Sequence, residues 1–146
     1  VEGSRVVGVI SRNDIAAASP SKATTLSAQE ATYLISKLKV AIVEAGSKWM
    51  TPLLDGLAEV FRKAPEAFPS DPVEMVKSRI HVSPFFEDGI DDLVNLVGVD
   101  QVLYGSDWPH PEGLAEPTYY IEALAHLSAD DQAKIMGGNL ARLVTV

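Results

Sequence analysis

Cysteine is absent from the chain. That omission excludes disulfides, a thiolate nucleophile and any cysteine-based zinc site. Basic charge is also scarce, since 12 Lys and Arg stand against 20 Asp and Glu, for a net charge of −8. Nucleic acid and anionic membrane both call for basic patches, so neither is expected as a partner. No apolar run approaches the ~18 residues of a membrane span and no signal-peptide pattern is visible, which makes a cytoplasmic protein the default expectation. P-loop, GxGxxG and HExxH patterns are missing, as are heptads, repeats and low-complexity tracts. Histidine occurs three times, at positions 81, 110 and 126, never as an HxH pair.

What is present is an alternation of short β-branched runs with amphipathic segments. Residues 5–11, RVVGVIS, read as a strand, and residues 13–19 as a short helix closed by Pro20. Ser27 with Glu30 makes a capping box ahead of Ala31, Leu34, Ile35 and Leu38, which predicts a helix over 28–37. Residues 39–44, KVAIVE, form a second buried strand that stops at Ala45-Gly46. Thr51-Pro52 reads as an N-cap and first helical residue, with Leu53, Leu54, Leu57, Val60 and Phe61 facing the core up to Lys63. Asp71-Pro72 with Glu74 starts a further helix by the same logic, and residues 79–85 form a strand. A helix over 90–97 ends at Gly98, and residues 101–104 are again a strand. Helices over 118–126 and 129–136, the latter capped by Ser128, finish the layer, with Asn139 capping a last short turn.

Successive strand–helix units argue for an α/β fold with a parallel sheet and right-handed crossovers. At 146 residues the chain is one domain by length, well short of the ~250 residues of a complete (β/α) barrel. That length, and Val rather than Met at position 1, lead us to expect a fragment or a fusion.

The stretch richest in chemistry is VLYGSDWPHPEG, residues 102–113. An apolar strand delivers Asp107 just past its end, as α/β enzymes present catalytic groups. A loop Asp equally serves as a turn or cap residue. Pro109 and Pro111 stiffen the loop. His110, three residues on, is within reach of a substrate or of the groups that back a site's ligands, or is simply exposed. His81 sits on a strand and is read as structural. Glu44 ends its strand as a solvated group or as a general base or acid. Trp49 is read as packing rather than as a substrate wall, Glu87 as a helix cap, and Arg142 as paired with an acid or solvated.

The wording VLYGSDWPH, with Gly137-Gly138-Asn139 and Ala141-Arg142-Leu143 downstream, resembles the end of the metal-dependent amidohydrolase family, in the branch related to aminocarboxymuconate-semialdehyde decarboxylase. The resemblance runs from about Leu38 to Val146 and covers the last third or so of that family's barrel. It implies a partial (β/α) barrel-like parallel sheet with flanking helices, in which Asp107 binds a divalent metal, zinc or manganese. It also implies hydrolysis or non-oxidative decarboxylation of a small carboxylate, lactone or amide. Glu44 stands where many members carry a proton-transferring His, so Glu44 and His110 become the catalytic candidates. The family's HxH pair and middle-strand His have no counterpart here, and the chain alone is expected to be incompetent.

Residues 1–39 carry a different resemblance. RVVGVISRNDI, followed by ASPSKATTLS and YLISKLKV, is similar to the second half of a CBS module. It implies a CBS-like strand–helix fragment over 1–39, ahead of the barrel portion over 40–146. Ser11, Arg12 and Asp14 would then contact the ribose and phosphate of an adenine nucleotide. Asp14 as a plain helix cap is the other reading. Exposed sheet edges leave homo-oligomerisation open.

Overall fold

The computed structural model describes residues 9–11, 38–86 and 88–144. Three short parallel strands, β1 (Val9–Ser11), β2 (Val40–Val43) and β3 (Ile80–Val82), pair in the order β1-β2-β3. Register is fixed by Val9 opposite Ala41, Val40 opposite Ile80 and Ile42 opposite Val82. The strand from the first 39 residues is thus hydrogen-bonded to the following segment in one sheet.

The expected strand over 101–104 shrinks to a single parallel bridge between Val82 and Val102, preceded by a 3-10 turn at Val99–Gln101. Leu103 donates its N–H to the Val82 carbonyl at 2.8 Å. The next donor along β3 falls at residue 84, a proline with no N–H, so the ladder stops there. The Ser83 hydroxyl continues the stitching instead, donating to the Tyr104 carbonyl at 2.8 Å.

Side chains alternate across the sheet with the period of two that strands impose. Val40, Ile42, Ile80, Val82 and Val102 face the helices, and Ala41 and Leu103 the other way, towards Leu143. Helix α1 (Met50–Lys63) covers the first face with Met50 and Leu54, and α2 (Pro72–Arg79) and α3 (Ile90–Val97) add Val76, Leu93 and Val97. Two sequence readings of α1 need correction. The helix begins at Met50, before Thr51, because the first helical bond runs from the Leu53 N–H to the Trp49 carbonyl at 3.2 Å, which makes Trp49 the N-cap. Counting from Met50, the inward stripe runs through 50, 54, 57 and 61, so Leu53 and Val60 are exposed rather than core-facing. Asp71 caps α2 as expected, its carboxylate accepting from the Val73 N–H at 2.8 Å. Trp49 belongs to the packing, with its indole N–H on the Gly46 carbonyl at 2.8 Å.

The C-terminal layer is more broken than the sequence suggests. A 3-10 turn at Pro117–Tyr119 leads into a single turn, α4 (Tyr120–Ala123). Helix α5 (Ala129–Ala133), capped by Ser128 on the Asp131 N–H, passes through a wider turn at Lys134–Gly138 into α6 (Asn139–Val144). Asn139 does not cap. It is buried, and its amide donates to the Val99 and Val102 carbonyls at 2.8 and 2.7 Å. Those carbonyls belong to the segment that delivers the Asp107 loop. Arg142 pairs with Asp100 at 3.0 Å. No helix among the described residues is long and apolar enough to cross a membrane. Glu87, read as a helix cap, and the helices expected over 13–19 and 28–37 lie outside the described residues.

Candidate metal centre

The cleft that matters opens beyond the C-terminal ends of the strands, where parallel α/β sheets place their ligands. About 220 Å³ in volume, it is lined by Glu44 after β2, Ser83–Phe85 after β3 and Gly105–His110 after Val102. Close backbone approach builds the loop. A Cβ on Gly105 would sit 2.2 Å from the Pro84 carbonyl oxygen, and one on Gly113 2.3 Å from the Asp107 carbonyl oxygen. Neither position can hold a larger residue without moving the chain. Between them the loop closes on itself: Leu114 N–H bonds Ser106 O at 2.9 Å, His110 N–H bonds Asp107 O at 2.9 Å, and Gly113 N–H bonds His110 O at 3.0 Å.

Glu44 and Asp107, with φ of 55° and 56°, are the two non-glycine residues in the left-handed region among those described. Asp tolerates that region better than most residues, and Glu does not share the tolerance. Glu44 follows directly on β2, Asp107 lies in the loop beyond the Val102 bridge, and both line this cleft. Sparsely populated backbone of this kind gathers at functional sites.

The Asp107 side chain is 6% exposed, yet it lines the cleft, and its Oδ1 lies 2.9 Å from His110 Nδ1. The Asp107 hydrogen bond, joined by the charges of Asp107, Glu112 and Glu44, raises the His110 pKa above the ordinary imidazole value. One ring N–H is therefore committed to Asp107. Glu112 is the third member, and one donor atom each from Asp107, His110 and Glu112 lies within 4.8 Å of the others.

As a metal shell this trio fits in part. Ligands around zinc sit ~2.0–2.2 Å from the ion, so their atoms cannot be more than about 4.4 Å apart, and a catalytic site uses three protein ligands. Asp107 is held in place, whereas Glu112 and His110 are exposed and must close in. The other histidines lie elsewhere. His126 pairs with Asp91 at 2.5 Å, and His81 is buried in β3, lining a cleft at the opposite end of the sheet.

The structure thus brings together Glu44, Asp107 and His110, the three candidates that the sequence placed here. Glu112 is the member that the sequence does not single out; its alternate spacing from His110, just before Gly113, is the available signal. Ser11 lies on edge strand β1, and Arg12 and Asp14 fall outside the described residues.

Residues 34–145 match the family model described as amidohydrolase. Among solved structures, an amidohydrolase from Mycobacterium avium subsp. paratuberculosis K-10 is similar at 39% identity and a TM-score of 0.71, over 75% of this chain and 28% of that one. A 5-carboxyvanillate decarboxylase from Sphingomonas paucimobilis shares the fold at 21% identity and a TM-score of 0.55, over 80% of this chain and 39% of its own. The chain therefore spans well under half the length of either protein. Neither comparison supports the CBS-like reading of residues 1–39, of which the family match covers only the last six.

Proposed function

The chain belongs to the amidohydrolase family, and on that premise we propose that its C-terminal cleft is part of a metal-dependent site of the hydrolase or non-oxidative decarboxylase kind, acting on a small carboxylate, lactone or amide. The observation that carries this reading is Asp107: a nearly buried carboxylate in left-handed backbone just past the sheet's end, facing a cleft that Glu44 shares. A divalent cation, when bound, supplies Lewis acidity at a substrate carbonyl or carboxylate.

Asp107 would hold that cation, with Glu112 as the further donor this loop can bring. His110, hydrogen-bonded to Asp107 Oδ1, fixes the carboxylate's orientation, as partners of metal ligands commonly do. Glu44 is open to the cleft and is the group placed to take or return a proton. Trp108, 60% exposed at the rim, offers an apolar face to the substrate. The cleft is smaller than the ~300–1,000 Å³ of typical drug-sized pockets, which favours a small substrate. The family's HxH pair has no counterpart in these 146 residues, so the loop supplies part of a shell.

A panel of lactones, amides and aromatic acids, assayed with added zinc or manganese, tests the proposal. Any metal-dependent rate should vanish in Asp107→Asn and fall by about 10²–10⁴ in Glu44→Gln. A metal-dependent rate that survives Asp107→Asn overturns it.

A further inference from the structure

We propose that Asp88 is a positioning residue for Glu44, the group to which the proposed function gives proton transfer; its meaning for catalysis rests on that reading, and its geometry does not. Asp88 lies outside the lining of the Asp107 cleft. Its Oδ2 instead reaches back 41 residues, accepting from the Ser47 N–H at 2.6 Å and from the Ser47 hydroxyl at 2.9 Å. Two donors on one oxygen use both of its lone pairs, and a carboxylate acceptor makes the stronger kind of hydrogen bond. Ser47 comes three residues after Glu44, and Asp88 three after Phe85. Glu44 and Phe85 both line the cleft. The Asp88 N–H also bonds the Phe85 carbonyl at 3.1 Å. One side chain thus joins the two loops that carry these cleft residues.

The turn after β2 needs such a fastening. Glu44 at φ 55° and Gly46 at φ 62° are both left-handed, and a non-glycine residue stays there only where its surroundings fix it. The sheet does not reach that far: β2 ends at Val43, and on the β3 side its bonding closes with the Ser83 N–H on the Ile42 carbonyl at 2.9 Å. Two other hydrogen bonds of the turn are local. The Trp49 indole N–H meets the Gly46 carbonyl at 2.8 Å, and the Met50 N–H meets the Ser47 carbonyl at 3.0 Å, each across three residues. They shape the turn without tying it to a neighbouring loop, and Asp88 supplies the tie. Packing agrees with this. A Cβ on Gly46 would lie 2.9 Å from Phe85 Cδ2 and 3.0 Å from Asp88 Oδ2, so the turn is seated against both residues. Without the carboxylate the turn keeps its local bonds, and Glu44 loses its fixed place in the cleft.

The test is NMR relaxation of the backbone amide nitrogens of the full chain, which needs neither substrate nor metal. Glu44 and Gly46 should be rigid in the wild type, with order parameters of about 0.85, and should fall below about 0.6 in Asp88→Ala, while Ile42 in β2 and Leu54 in α1 stay unchanged. Asp88→Asn keeps an oxygen that can accept from Ser47 and should restore most of the order at Glu44. Ser47→Ala removes one of the two donors without touching the core and should give an intermediate value, which decides the matter even where Asp88→Ala does not fold. Where the substrate panel yields a rate, Asp88→Ala should lower kcat at least about tenfold with KM within about twofold. A rate indifferent to Glu44→Gln would remove Glu44 from the chemistry and leave the hold of Asp88 on it standing. Unchanged order at Glu44 in Asp88→Ala, or an equal fall at Ile42 and Leu54, would overturn the proposal.

Discussion

Replacing Asn139 with leucine should cost more stability than any other single polar change in the C-terminal layer. The side chain is 1% exposed, and its amide satisfies two backbone carbonyls, Val99 O at 2.8 Å and Val102 O at 2.7 Å. Leucine has the same branched outline but is larger, so no cavity forms, and overpacking adds to the polar loss. Each hydrogen bond contributes about 1 kcal/mol net, and a carbonyl left buried without a partner adds to that, giving about 2–4 kcal/mol in all. At this chain length that corresponds to a fall in Tm of roughly 4–16 °C. Urea unfolding followed by far-UV circular dichroism measures it directly. Asn139→Asp is the informative companion: it keeps the oxygen that accepts from Arg142 and replaces the donor with a carboxylate aimed at two carbonyls. It should be no more stable than the leucine variant at neutral pH. A loss below about 0.5 kcal/mol for Asn139→Leu, the range of a neutral surface change, would refute the reasoning.

Three further outcomes are expected. Gly113→Ala places a Cβ 2.3 Å from the Asp107 carbonyl oxygen and should weaken metal binding about tenfold, whereas Gly56→Ala, with nothing within 4 Å in α1, should stabilise by about 0.5–1 kcal/mol; equal metal affinity in the two variants would contradict the loop argument. Desolvation lowers the His81 pKa below 6.5, so the unfolded chain takes up a proton at a pH where the native one does not. Its contribution is complete above about pH 6.5 and is lost as pH falls towards the native value. His81→Leu should lose less stability than wild type between about pH 7.5 and about pH 5.5; parallel slopes would count against this.

The sequence made the local elements legible where one residue type decides them. The run over 39–44 has few ways to be anything but a buried strand, and Asp71 ahead of Pro72 marks a helix start through its own side chain. The strand expected over 101–104 shrinks because a missing donor just past the neighbouring strand β3, Pro84, ends its ladder, and no local pattern at 101–104 reports that. Leu53 and Val60 were overread because the phase of α1 depends on its first residue. Asn139 looked like a cap because its partners lie 37 and 40 residues away. The site was legible to the same degree. Asp107 and His110 are neighbours along the chain, while Glu44 reaches them only because parallel strands bring their C-terminal ends together. Glu112 becomes a candidate ligand only once the loop's own hydrogen bonds fold it back beside Asp107.

Whether Asp107 is a metal ligand is decided by calorimetric titration of zinc and manganese into the wild type and Asp107→Asn. One site is expected in the wild type, weakened at least about tenfold in the variant. Equal affinity and stoichiometry in the two proteins would mean that Asp107 is not a ligand, and the proposed site would fall with it.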